Sequence, residues 1–412
     1  MIKTDACIIG AGPGGVAAAL KLSYLGISSV LIDKATFPRD KVCGDAISGK
    51  VTTLLNRLDP DILERFNRQS IQLDVWGIKF VAPNRKELSI PFQPNYVRNA
   101  RMAPGYVARR HDFDNFLADE VRRRENIRFF EGQAAEQYSR SERGWLVSGQ
   151  AGAFEVDARM LIVADGAHSA FSRKVAGLQL DLRHHAAAVR AYFANVENLS
   201  ADNFIELHFI QSITPGYFWI FPLPGGHANV GLGMRSDILR RRKLNLRKAL
   251  FEVIEAHPVL RERFKNAQLV GEVKGYGLPL GSKRRPLSGA HYMLVGDAGH
   301  LVDPLTGEGI GNAFYSGFIA AEQLQQCLAA DDFSASFLKA YDQRVSRVLG
   351  SEMRLSYRLQ KMLAYPWLVN LLANIIAGNR RVAALLSGMY NDFALREQLV
   401  KPWFWMKMFF RR

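Results

Sequence analysis

The sequence predicts an α/β chain: a Rossmann-like dinucleotide-binding domain, interrupted by a mostly antiparallel sheet and followed by a helical region. Three observations carry this. An apolar strand over residues 6–9 opens on Gly10-x-Gly12-x-x-Gly15. Residues 184–285 are dominated by alternating apolar and polar side chains, and from Asp332 onward the pattern is helical and basic. At 412 residues the chain is long enough for two or three domains. The expected division is a discontinuous binding domain (1–70, 104–183 and 286–330), a substrate sheet domain (71–103 and 184–285) and a helical region (331–412).

The totals narrow the class. With 48% hydrophobic and 23% charged residues the composition is that of a globular protein, which excludes wholesale disorder. The 54 Lys and Arg against 39 Asp and Glu leave +15, which favours an anionic partner. Cys7, Cys43 and Cys327 are far apart with no CxxC pair, so neither a disulfide framework nor a metal site is expected, and a reducing, cytoplasmic setting fits. The first residues lack the order of a signal peptide, and no uncharged apolar run reaches about 18 residues.

Taken in order, the first strand and glycine turn lead into a helix over 16–25, and Gly26 precedes a second strand over 29–33. Such a βαβ unit brings a pyrophosphate to a helix N-terminus, and Asp33, 18 residues beyond Gly15, stands where an acid binds a ribose hydroxyl. The run Pro38-Arg39-Asp40-Lys41-Val42-Cys43-Gly44-Asp45 is a loop leaving that strand. Cys43 either approaches a reactive ring or is a small buried thiol. Prolines among alternating residues over 70–103 indicate strands of a second layer. A helix follows with Asp112 as its expected N-cap, and Arg110 before it is either a clamp on phosphate or ribityl oxygens or a surface arginine. Strands are expected over 126–130, 145–148 and 160–164, the last ending in Asp165-Gly166 at a carboxyl end where ligands sit.

The inserted region reads as strands over 185–193, 205–209, 217–221 and 228–233, with one helix over 246–256. Tyr217, Phe218, Trp219 and Phe221 are either core or a cavity wall. A short strand over 293–295 then crosses Gly296-Asp297 into a glycine-rich loop and a helix over 310–324. That helix offers a positive dipole end, and Asp297 is placed to accept from hydroxyls, so a flavin, with its polyol and electron-accepting ring, would use both.

Order and content of these motifs resemble the FAD-binding set of flavoproteins of the p-hydroxybenzoate hydroxylase fold: Gly10-x-Gly12-x-x-Gly15, Asp165-Gly166, and Gly296-Asp297 with Pro304-x-x-Gly307-x-Gly309. The Pro38 to Asp45 run and Tyr217-x-Trp219-x-Phe221-Pro222 resemble the marker sequences of the geranylgeranyl reductase family, over residues 1 to about 330. The resemblance implies Gly14 at the pyrophosphate, Asp33 on the adenosine ribose, Arg110 and Asp297 along the ribityl and phosphate linkage, and Ala134 touching adenine. It further implies Gly309 and Ile310 at the flavin pyrimidine edge, Cys43 and Gly44 facing the ring, and Tyr217, Trp219 and Phe221 on the substrate cavity.

The implied chemistry is reduction of isoprenoid alkenes on a lipid, diphosphate or quinone, with hydride from reduced FAD and a proton supplied by Cys43 or an ordered water. No second GxGxxG unit exists for a nicotinamide, so the electron donor is a transiently bound NAD(P)H or ferredoxin. Two rivals stand: a monooxygenase or halogenase of the same fold, although halogenases usually carry Trp-x-Trp-x-Ile-Pro at the aromatic strand, and a non-catalytic flavin-containing lipid-binding protein. Over residues 380–412, seven basic residues oppose two acidic ones amid Trp and Phe, which suits either an anionic membrane surface or a cap on the substrate domain. No nucleic-acid module is visible, so nucleic acid is not an expected partner. The expected location is cytoplasmic and peripheral at the membrane.

Overall fold

The computed structural model describes residues 1–93, 96 and 103–377. Two large sheets and one small one make up its β structure. The first is eight-stranded, with a main path running Ser288–Gly289, Tyr292–Leu294, Glu155–Val163, Ile2–Ile9, Ser29–Ile32 and Ile127–Phe130. Its inner strands are parallel and their apolar runs are buried, as parallel strands covered on both faces require. Register decides where a ligand can sit. Ile9 pairs with both Val163 and Ile32, and Val163 pairs with Leu294, so the strands stop abreast. The residues that follow, Gly10, Asp33, Asp165 and Asp297, therefore line one carboxyl edge.

Two helices start from that edge. Pro13–Tyr24 follows the glycine turn and Ile310–Ala330 follows the second glycine loop. They pack closely because the contact is made by small residues: a Cβ on Gly317 would stand 2.4 Å from the Gly14 carbonyl oxygen, and one on Gly14 3.3 Å from Ala313 Cβ. Both N-termini thus open on the same space. The expected helix 16–25 begins three residues earlier, since Pro13 suits a first helical turn.

The second sheet has seven strands in the order Gln268–Pro279, His185–Ala194, His227–Arg235, Tyr217–Leu223, Ile205–His208, Gly77–Val81 and Glu87–Pro91. It is antiparallel except where Ile205–His208 meets Gly77–Val81. One face is covered by Leu246–Ala256, whose Leu246, Ala249, Leu250, Val253 and Ile254 fall on a single helical stripe. Not all of 71–103 joins this sheet. Gln72–Val75 pairs instead with Gly105–Ala108, which also takes Ala46–Ile47, in a three-stranded sheet. The chain changes sheets at Trp76, a buried residue of the main core, and only then enters Gly77–Val81.

Asp112 is not an N-cap. The helix Arg110–Arg122 starts two residues earlier, and its Arg110 N–H donates to Asp45 Oδ1 at 3.3 Å. A carboxylate 65 positions upstream takes the place of the local cap. In the C-terminal region, Ala335–Met362 packs Leu338, Tyr341, Val345, Leu349 and Met353 into the main core, and Tyr341 donates to the Leu294 carbonyl at 2.7 Å. Pro366–Ala377 follows, and the basic aromatic tail read over 380–412 lies outside the described residues. No described helix is long and apolar enough to cross a membrane.

Candidate active site

A cavity of about 1070 Å³ runs from the carboxyl edge of the first sheet to the face of the second. At its floor Gly10 has φ +96°, and a Cβ there would lie 2.5 Å from the Ala164 carbonyl oxygen. A Cβ on Gly15 would lie 1.8 Å from the Gly10 oxygen, so the turn cannot close with any other residue. Gly12 differs, since its Cβ direction is open and meets only Arg39 Nη2, at 4.0 Å. That opening above a helix N-terminus is a cradle for phosphate. Asp33 is buried beside it and accepts from the N–H groups of Ala11 (2.7 Å) and Ala35 (2.8 Å), one on each oxygen. Each oxygen keeps a lone pair for a ribose hydroxyl.

Asp165 and Asp297 close the edge. Burial pushes the Asp165 carboxyl up to about 6 against a bond from Ser169, and its Oδ1 is buried without a hydrogen-bond partner. Asp297 Oδ1 stands 3.4 Å from where a Gly309 Cβ would be, which brings it beside the second helix end. The loop between them is held from several sides: Asp303 Oδ1 accepts from Leu305 N–H and Thr306 N–H, and Tyr217 O–H donates to the Thr306 carbonyl at 2.7 Å. The helix end beyond it is not bare. Glu308 Oε1 accepts from Gly311 N–H at 2.5 Å, and Lys50 lies 3.7 Å from its other oxygen. Gly309 and Ile310 line the cavity in front of that carboxylate.

Arg110 also lines the cavity, but its charge is engaged. Nε and Nη2 donate to Asp114 Oδ1 (2.6 Å) and Oδ2 (2.7 Å), and both residues are buried. Arg39 and Lys41, which sequence reading passed over, take up the exposed side of the cradle. Arg39 spends Nη1 on Asp114 (2.7 Å) and leaves Nη2 above Gly12. Lys41 holds its Nζ 3.4 Å from the centre of the Tyr276 ring; burial lowers its pKa to about 8, with Asp297 opposing that fall. Both signals lay in the run from Pro38 to Asp45, where a dinucleotide loop carries two cations. Ala134 is not on the cavity wall; its carbonyl faces Gly149 instead.

Cys43 and Gly44 meet the aromatic strand across the cavity. A Cβ on Gly44 would stand 3.1 Å from Phe221 Cε2, so glycine permits the approach. Strand alternation sorts the aromatic cluster: Tyr217, Trp219 and Phe221 line the cavity, whereas Phe218 and Ile220 face the helix-backed core. Asn229, on the neighbouring strand, ties loop to sheet. It donates to the Cys43 carbonyl (2.9 Å) and to Asp45 Oδ2 (2.8 Å), and accepts from Trp219 Nε1 (2.9 Å). Burial pushes the Cys43 thiol up, and the Arg110 guanidinium in contact with it opposes that rise. Beyond this point the wall is apolar, with Ile78, Phe80, Ile90, Leu207, Leu359 and Leu363.

The parts fit FAD: an open phosphate cradle, a carboxylate for each of two polyol regions, and a helix end beside them. Comparison with known proteins agrees. The FAD binding domain family matches residues 3–354. Digeranylgeranylglycerophospholipid reductase 2 of Methanopyrus kandleri is 31% identical over 374 residues, covering 88% of this chain and 87% of that one. Menaquinone reductase of Mycobacterium tuberculosis is 28% identical, covering 88% and 85%. Among solved structures, a geranylgeranyl bacteriochlorophyll reductase-like protein from Thermoplasma acidophilum superposes with a TM-score of 0.81 at 24% identity, covering 97% of this chain and 99% of that one. The flavin-dependent brominase Bmp2 shares the fold, with a TM-score of 0.76 at 21% identity over 94% and 93%. The chain belongs to the FAD binding domain family and, within it, to the FAD-dependent oxidoreductases of the geranylgeranyl reductase type.

Proposed function

We propose that this protein saturates isolated alkene bonds in an isoprenoid chain carried on a lipid, diphosphate or quinone. The observation that carries this reading is the junction at Gly44: the loop bearing Cys43 leaves the dinucleotide cradle and packs directly on Trp219 and Phe221, where the cavity turns apolar. Bound FAD would be held by the Gly10 to Gly15 turn, Arg39, Asp33, Asp165 and Asp297, and when reduced it supplies hydride. The chain's own residues do the rest. Trp219 and Phe221 give the substrate an apolar surface and exclude water. Cys43 holds a proton at its sulfur on the cavity wall, where the second alkene carbon would receive it. Electrons come from a transiently bound NAD(P)H or ferredoxin.

We also infer that the body works at an anionic membrane surface. Tyr365, Trp367 and Leu371 are 56%, 64% and 47% exposed, just beyond Leu363 at the apolar end of the cavity. Amphipathic rings of this kind sit at headgroup level, and the basic tail that follows suits anionic lipid. The functional test is direct. Holoprotein is incubated with dithionite and either geranylgeranyl diphosphate or a geranylgeranyl ether phospholipid, and the products are read by mass spectrometry. Gain of hydrogen pairs on at least one of these supports the proposal. Binding without any gain supports a lipid carrier and sinks it.

A further inference from the structure

Asp45 is 0% exposed, two residues beyond Cys43, and holds φ at +67°. A non-glycine residue seldom adopts that conformation, and it persists only where the surroundings enforce it. Here the enforcement is visible. Oδ2 accepts from Tyr192 O–H at 2.7 Å and from Asn229 Nδ2 at 2.8 Å, while Oδ1 accepts from Arg110 N–H. The same Asn229 fixes the Cys43 carbonyl, so acid and thiol share one scaffold.

The groups facing this carboxyl come from four elements, the strand His227–Arg235 supplying Asn229. Arg110 approaches from its helix, Tyr192 and Arg190 from the strand His185–Ala194, and Cys43 from the acid's own loop. Burial pushes Asp45 up to about 6, and the bonds from Tyr192 and Asn229 oppose that rise. A carboxyl in this state exchanges protons near neutrality. Tyr192 does not line the cavity, although Arg190 and Asp40 beside it do. Its ring lies 4.0 Å from the Arg190 guanidinium, and Arg190 pairs with Asp40 at 2.9 Å. Asp40 in turn takes Lys274, whose side chain is 45% exposed.

We propose that Tyr192 and Asp45, neither of which lines the cavity, form a proton-supply line to Cys43, so that the thiol is recharged while cofactor and substrate fill the cavity. The proposal rests on the reading of Cys43 as proton donor in alkene reduction. Its balance is simple. While a bound, reduced cofactor would supply hydride to one alkene carbon, the Cys43 S–H bond breaks and a C–H bond forms at the other, leaving a thiolate. The Asp45 O–H bond then breaks, S–H re-forms, and Asp45 takes a proton from Tyr192, which draws one from water. The electrons come from the external nicotinamide or ferredoxin donor. Asp45 acts through Cys43 and is a positioning residue.

The test uses FAD-loaded protein and iodoacetamide. The alkylation rate of Cys43 is followed against pH, and mass spectrometry separates it from Cys7 and Cys327, which are buried. An Asp45 anion raises the thiol's pKa, so Asp45→Asn lowers the alkylation midpoint by about one unit and speeds alkylation roughly tenfold below it. An unchanged midpoint overturns the coupling, and this arm uses no substrate, so it stands apart from whether prenyl alkenes are reduced. Tyr192→Phe removes only a hydroxyl and keeps the question open if Asp45→Asn fails to fold. It slows multiple-bond turnover by roughly tenfold or more and raises the solvent isotope effect, with flavin absorbance retained. Turnover and isotope effect equal to those of the unsubstituted protein would overturn the relay.

Discussion

Replacing Gly44 with alanine puts a methyl group 3.1 Å from Phe221 Cε2, tighter than ordinary van der Waals contact, and 3.5 Å from Cδ2. Gly44 does not have a positive φ, so the backbone accepts alanine and the whole effect is the contact. Overpacking of this kind costs about 1–3 kcal/mol when the surroundings must move. Phe221 is 8% exposed and lies beside Trp219, whose Nε1 is held by Asn229, so the loop yields rather than the strand. If the strain is relieved by drawing Cys43 away from the aromatic wall, alkene turnover falls roughly 5- to 150-fold while FAD stays bound. Phe221→Leu opens the space, and the double variant recovers much of the loss, giving a coupling of about 1 kcal/mol or more. The assay is product formation at saturating reductant, with flavin absorbance as the check on loading. Equal turnover in Gly44→Ala, or strictly additive effects in the double variant, would refute the argument that this junction joins cofactor and substrate.

Three further outcomes are expected. Arg39→Ala removes the cation above Gly12 and weakens FAD binding by about tenfold in a fluorescence titration, with less effect at high salt. Asp165→Asn stabilises the apoprotein at pH 7.5: burial raises the folded carboxyl from 3.8 to about 6, so the fold carries a penalty that builds as pH climbs between those two values, is complete above about 6 and is small at pH 4. The gain is up to about 3 kcal/mol, and a melting temperature that rises equally at both pH values would contradict it. Deleting residues 401–412 lowers co-sedimentation with phosphatidylglycerol vesicles in low salt, and unchanged sedimentation would count against the membrane reading.

What the sequence made legible was local. The helix Leu246–Ala256 shows its bounds because five apolar residues fall on one stripe, and Tyr217–Leu223 shows its two faces because alternation sorts them. The glycine turn and Asp33 are legible because steric need and spacing lie within one βαβ unit. Contacts across long loops were hidden. Asp45 capping the Arg110 helix and Asn229 holding the Cys43 carbonyl join residues 65 and 186 positions apart. Nothing in hydrophobic period reports such pairs. The engagement of Arg110 was closer to hand: Asp114 stands four residues on along the same helix, the spacing at which opposite charges meet. Glu308 shows the same lesson, since a carboxylate just ahead of Gly309 caps the helix end that glycine spacing alone makes look open.

The central claim is that reduced flavin in this cavity delivers its electrons to an isoprenoid alkene. The most direct measurement is anaerobic: holoprotein is photoreduced, oxygen is excluded, and a geranylgeranyl lipid is added while flavin absorbance is followed. The account predicts reoxidation in step with alkene saturation. Flavin that stays reduced until oxygen is admitted would contradict it.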